Sequence, residues 1–70
     1  MGELITNRIF ELRAQAGITQ ETLAQKVQVT RQTIIAMEKG NYTPSVLLAL
    51  KLAAVFKKPV EEIFRIKYAK

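Results

Sequence analysis

The stretch from Thr19 to Glu38, TQETLAQKVQVTRQTIIAME, constrains the fold more than any other part of the chain. It reads as two short helices, about 19–27 and 30–39, with almost nothing between them. Thr19 offers a hydroxyl that can accept from the free N–H groups of an opening turn. Leu23, Ala24 and Val27 follow at i, i+1 and i+4, one apolar stripe. Thr30 repeats the capping role, and Ile34 with Met37 repeats the stripe at i and i+3. Only Gln28 and Val29 separate the two patterns, so the connection is a sharp turn. Val29 can point inward there and pin the angle between the helices. The outward face of the second helix is then Arg31, Gln32, Ile35, Ala36 and Lys39.

The flanking segments supply what such a pair packs against. Asn7 to Ala16 reads as a first helix, with Ile9, Leu12 and Ala16 on one face and Gly17 closing it. Phe10 lies off that stripe and is expected to touch the C-terminal segment. Gly40 ends the third helix, Pro44 stops any continuation, and Ser45 caps a fourth helix over about 46–56. That helix is apolar on nearly all sides apart from Lys51, which predicts a place in the middle of the core. Lys57 and Lys58 suit its C-terminal dipole. Pro59 opens a fifth helix, with Glu61 and Glu62 in its first turn. The tail Phe64–Tyr68 alternates apolar and basic residues, which is strand periodicity. No repeat or low-complexity segment interrupts this order.

Seventy residues are expected to make one domain, 1–70, and a chain this short buries only about 60% of its unfolded surface. It has no cysteine and no histidine, so neither a disulfide nor a usual zinc site can staple it, and dimerisation remains. The lack of cysteine fits a reducing cytoplasm. The N-terminus, Met1-Gly2-Glu3, does not have the form of a signal peptide. The longest apolar run, Val46 to Phe56, falls short of the roughly 20 residues a bilayer span needs, so a soluble protein is expected. Eleven Lys+Arg against six Asp+Glu give a net charge of +5, which suits a polyanionic partner or simply a solvated surface. Arg31 and Lys39 on the outward face favour the former. An enzyme reading fails on inventory: aspartate is also absent, and Glu61 and Glu62 are adjacent and diverge on a helix. No catalytic residue, cofactor or metal is expected.

The order Ile9-x-x-Leu12-Arg13, Gly17-Ile18-Thr19-Gln20, Leu23-Ala24, Val29-Thr30-Arg31-Gln32-Thr33-Ile34 and Met37-Glu38-Lys39-Gly40 resembles the lambda-repressor/Cro-type, or XRE-like, helix-turn-helix family. Asn41-Tyr42-Thr43-Pro44-Ser45 and Pro59-Val60-Glu61-Glu62-Ile63-Phe64 extend the match, which runs without a gap over about 8–64. One departure is Gln28, at a turn position usually held by glycine, which would have to adopt a left-handed conformation. The resemblance implies an all-α, five-helix domain, with the helix-turn-helix at 19–39. Small members often pair an N-terminal lead with the tail, so Leu4 and Ile5 are expected beside Ile66 and Tyr68 in a short two-stranded pairing. It also implies an ion pair between Arg13 and Glu38 with no DNA role.

The partner so implied is double-stranded DNA. Arg31 and Gln32, a forked donor and a bidentate amide, have the shapes that read guanine and adenine edges; the alternative for Arg31 is that it neutralises a phosphate and reads no base. Ile35 can touch a thymine methyl or be an ordinary surface residue, and Ala36 leaves room for close approach. Gln20, by resemblance, binds a phosphate at a helix start. Lys39, Asn41, Tyr42 and Thr43 could hold the next stretch of backbone, with loop packing the alternative for Tyr42. The region 59–70 is expected to dimerise, through Val60, Ile63 and Ile66; Val60 could instead complete the intramolecular core. These residues read as a homodimeric transcriptional repressor on a palindromic operator, cytoplasmic and nucleoid-associated. A protein-interaction module, such as an antitoxin with secondary DNA binding, is the alternative.

Overall fold

The computed structural model describes residues 2–68, and the last two positions of the expected dimerisation region, 69 and 70, lie outside them. Five helices carry a short antiparallel ribbon: β1 (Glu3–Asn7), α1 (Ile9–Ala16), α2 (Gln20–Val27), α3 (Arg31–Glu38), α4 (Val46–Phe56), α5 (Val60–Ile63) and β2 (Phe64–Tyr68). Three of the helix starts are made by side chains named from the sequence. Thr19, Thr30 and Ser45 each accept from the N–H three residues on, at 3.0, 3.3 and 3.1 Å. Each satisfies one of the orphan donors of a first turn.

The first helix starts two residues later than its pattern predicts. Asn7 ends β1, and its Oδ1 accepts from the Ile9 N–H at 3.1 Å while its amide donates to the Met37 carbonyl at 2.8 Å. A short polar side chain that can bond nearby backbone favours this cap-like position over a helix interior. Arg8 and Glu11 form an exposed ion pair at 2.9 Å. The hydrogen bond from Arg8 holds the Glu11 carboxyl below its ordinary range, with the Arg8 charge adding to it. That contribution exists at neutral pH and is lost as pH falls through the lowered pKa; full exposure keeps it small.

The core is built from the predicted stripes. Ile9, Leu12, Leu23, Val27, Ile34, Met37, Leu52 and Ile63 are buried together, with Val29 and Phe64 packed against them. Ala16, expected on the inner face of α1, is exposed. Phe10 does not bury itself on the C-terminal segment; it stays largely exposed and lies 5.3 Å below the Arg13 guanidinium. The larger correction concerns α4. It does not run through the middle of the core: Leu48, Ala49 and Leu52 are buried, whereas Val46, Leu47 and Leu50 face solvent. α2 and α5 pack against one side of the helix, and among the described residues nothing covers the other.

Gln28 adopts φ 63° and ψ 44°, the left-handed conformation expected of it, and its Oε1 accepts from Lys51 Nζ at 2.8 Å. Lys57 closes α4 in the same way at φ 56°. A side chain at such a position costs about 1 kcal/mol relative to glycine. Gln28→Gly is therefore expected to raise stability by about 0.5–1 kcal/mol in denaturant unfolding. A loss would mean that the bridge to Lys51 outweighs the backbone strain.

The tail does form a strand, and the ribbon register is Ile5↔Ile66, with Leu4 opposite Lys67 and Tyr68 opposite Glu3. The expected Ile5–Ile66 neighbourhood is present; Leu4 lies on the other face because side chains alternate along a strand. α5 is a single turn, and Pro59, expected to open it, stands just outside as the N-cap. The ribbon is held at its base, where the Arg8 N–H donates to the Ile63 carbonyl at 2.9 Å and Phe64 joins the core.

Candidate nucleic-acid interface

The orientation of α3 decides what the outer surface can touch. Ile34 and Met37 have no exposed surface, so they fix the rotation of the helix about its axis. Arg31 and Gln32 then stand exposed in the first turn, and Lys39 stands exposed just beyond the last. Ile35 and Ala36, between them on the same side, are half-buried. Thr33 donates its N–H to Thr30 Oγ1, so the first turn that carries Arg31 and Gln32 is capped.

The rear of α3 is tied down by one carboxylate. Arg13 Nε donates to Glu38 Oε2 at 2.8 Å and Arg13 Nη2 to Oε1 at 3.3 Å, a forked pairing. The third guanidinium nitrogen donates to the Ile18 carbonyl at 3.1 Å. The two side chains are 14% and 8% exposed, so this charge is unavailable to a ligand. Gln20 shares the network: its amide donates to Glu38 Oε1 at 3.1 Å. One amide hydrogen and the carbonyl of Gln20 remain for an outside group. A shallow cleft of about 450 Å³ runs from Thr19 and Gln20 to Arg31, so the start of α2 and the start of α3 face a common space.

At the other end, the Asn41 N–H reaches back to the Ala36 carbonyl at 2.9 Å and Gly40 takes φ 81°. The chain is thereby turned out of the helix, and Asn41, Tyr42 and Thr43 are exposed beside Lys39. The Asn7 bond to the Met37 carbonyl, which the sequence reading missed, braces this same end. An asparagine immediately before an apolar-periodic run is a helix-start signal that could have located it.

The residues expected at a dimer interface differ in exposure. Ile63 is completely buried in the intramolecular core, packed with Ile9, Leu52 and their neighbours, which corrects its expected place at an interface. Val60 is half-buried, and Ile66 is exposed on the ribbon. Among the described residues no cluster of acidic side chains could hold a metal ion, and no helix is long and apolar enough to cross a membrane.

With this geometry in view, the chain matches the helix-turn-helix family model over residues 9–63. It is 52% identical over 58 residues to the uncharacterized HTH-type transcriptional regulator YgzD of Bacillus subtilis, covering 83% of this chain and 88% of that one. It is 30% identical over 60 residues to the cryptic phage CTXphi transcriptional repressor RstR of Vibrio cholerae, covering 86% of this chain and 54% of that one. The crystal structure of the restriction-modification controller protein C.AhdI from Aeromonas hydrophila superposes with a TM-score of 0.72 at 34% identity, covering 79% of this chain and 83% of that one. These relatives are regulators, not enzymes. The chain thus belongs to the XRE-type helix-turn-helix family, and it is a DNA-binding transcriptional regulator.

Proposed function

We propose that the protein represses transcription by occupying a twofold operator as a homodimer, with α3 in the major groove. The observation that carries this reading is the pairing of exposed Arg31 and Gln32 in the first turn of α3. That end of a recognition helix meets base edges, and these two side chains are the bidentate readers of guanine and adenine. Ile35 and Ala36 lie where a thymine methyl can be touched. Gln20 reaches one phosphate, while Lys39, Asn41, Tyr42 and Thr43 hold the backbone beyond the other end of α3. These contacts set position rather than sequence. Repression is supported by the likeness to RstR, whose name describes a transcriptional repressor. Dimerisation is supported by geometry, because one head reads few base pairs and two heads one helical turn apart read enough for a useful site.

Mobility shifts against the DNA upstream of the gene, at two salt concentrations, test the reading. Arg31→Ala and Gln32→Ala are each expected to cost about 1–3 kcal/mol on the operator. Gln32→Ala removes no charge, so random DNA should be affected much less. Equal weakening on operator and random DNA would remove Gln32 from base reading. Lys39→Ala should weaken both and lower the salt dependence by roughly one charge.

A further inference from the structure

The surface that the fold leaves unexplained is the outer side of α4. At 3.6 residues per turn, Val46, Leu47, Leu50 and Ala54 fall within an arc of about 100°, opposite the buried Leu48, Ala49 and Leu52. Val46 is 76% exposed, Leu47 64% and Leu50 56%, and Tyr42 is exposed beside them. Tyr42 and Leu47 border a shallow cleft of about 200 Å³ whose far side carries Val29 and the Gln28–Lys51 hydrogen bond, so the apolar surface ends at that polar edge. Monomeric proteins rarely leave so continuous an apolar stripe uncovered.

We propose that this stripe is the surface on which a second copy of the chain docks, α4 against α4, antiparallel about a twofold axis at Leu50. The inference rests on the homodimer reading above for its consequence on DNA. Three features select a second copy. The stripe is self-complementary: α4 runs Val46–Phe56, and an antiparallel crossing at Leu50 sets Val46 of one copy over Ala54 of the other, a larger side chain against a small one. Such matching lets helices approach to about 8–10 Å. The stripe Val46, Leu47, Leu50 and Ala54 itself carries no charge, and Lys51 at its edge is engaged with Gln28, so its centre offers DNA no cation to pair with. Finally, a dimer needs an apolar centre to its interface, which this stripe offers. A standard interface takes about 800 Å² from each partner, roughly a sixth of the 4915 Å² of this chain. Aliphatic side chains exposed by half or more supply the apolar centre of such an area. The docking surface thus lies on α4 and not on α5, where Ile63 is consumed by the core.

The chain has no cysteine, which allows a direct test. With axes about 8–10 Å apart and Cα atoms about 2.3 Å from each axis, facing Cα atoms lie about 3.4–5.4 Å apart, which overlaps the disulfide range of about 4.4–6.8 Å. Leu50→Cys is expected to form a covalent dimer on mild oxidation in dilute solution, whereas Leu4→Cys, equally exposed on the ribbon, is not. Leu50→Asp should sediment as a monomer with an unchanged helical spectrum and bind the operator at least tenfold more weakly, with random-DNA binding per chain retained. A wild-type protein that sediments as a monomer, or a Leu50→Asp protein that stays dimeric, overturns the α4 interface; a stripe that captures only a different protein also overturns it. A Leu50→Asp monomer that binds the operator like wild type leaves the interface standing and overturns the homodimeric operator reading instead.

Discussion

Arg13→Ala is expected to lower the stability of the domain by about 3–5 kcal/mol, the cost of leaving one member of a largely buried ion pair without its partner. Glu38 would retain only the Gln20 amide, and the Ile18 carbonyl would lose its donor. For a domain this small each kcal/mol moves the midpoint by about 4–8 °C, so the melt should shift down by more than about 12 °C. Arg13→Lys should be damaging too, because an ammonium cannot reproduce the fork that serves both Glu38 oxygens and Ile18 at once. Replacing Arg13 and Glu38 together by methionine removes both charges, and is expected to be much milder than either loss alone. A thermal melt in which Arg13→Ala keeps its midpoint would show that the pair contributes nothing. Because Gln20 shares Glu38, the same variant also frees the start of α2 relative to α3. Reduced DNA binding in Arg13→Ala must therefore be judged on the folded fraction only.

Ile34→Ala is expected to cost about 2–5 kcal/mol, the range for truncating a fully buried aliphatic side chain. Its neighbour gives the contrast. Ile35 is half-buried on the outward side, so Ile35→Ala should cost less stability and instead change operator affinity. Chemical denaturation and operator binding, measured on both variants, separate the two roles. An unaltered unfolding midpoint for Ile34→Ala would mean that α3 is rotated from the orientation described above. Arg31 and Gln32 would then no longer be aimed as proposed.

The features legible from the sequence were those written in local chemistry. Thr19, Thr30 and Ser45 cap helices because their own hydroxyls reach the N–H three residues on, and no tertiary contact is needed for that. The Leu23–Val27 and Ile34–Met37 stripes and the alternating tail are likewise set by neighbours a few positions apart, whereas the left-handed Gln28 was visible only through the family resemblance. The stripes are enough to orient α3, and so to place Arg31, Gln32 and Lys39 on its exposed side. The Arg13–Glu38 pair joins residues distant in sequence, and it was visible only through resemblance to a family. Asn7 was misplaced in α1 because its partner, the Met37 carbonyl, comes from another helix. The two sides of α4 are the clearest limit. A helix apolar all round carries no local sign of which face the rest of the chain will cover. Only the packing of α2 and α5 against it decided that Leu52 is core and Leu50 is surface, since among the described residues no element lies over the second face.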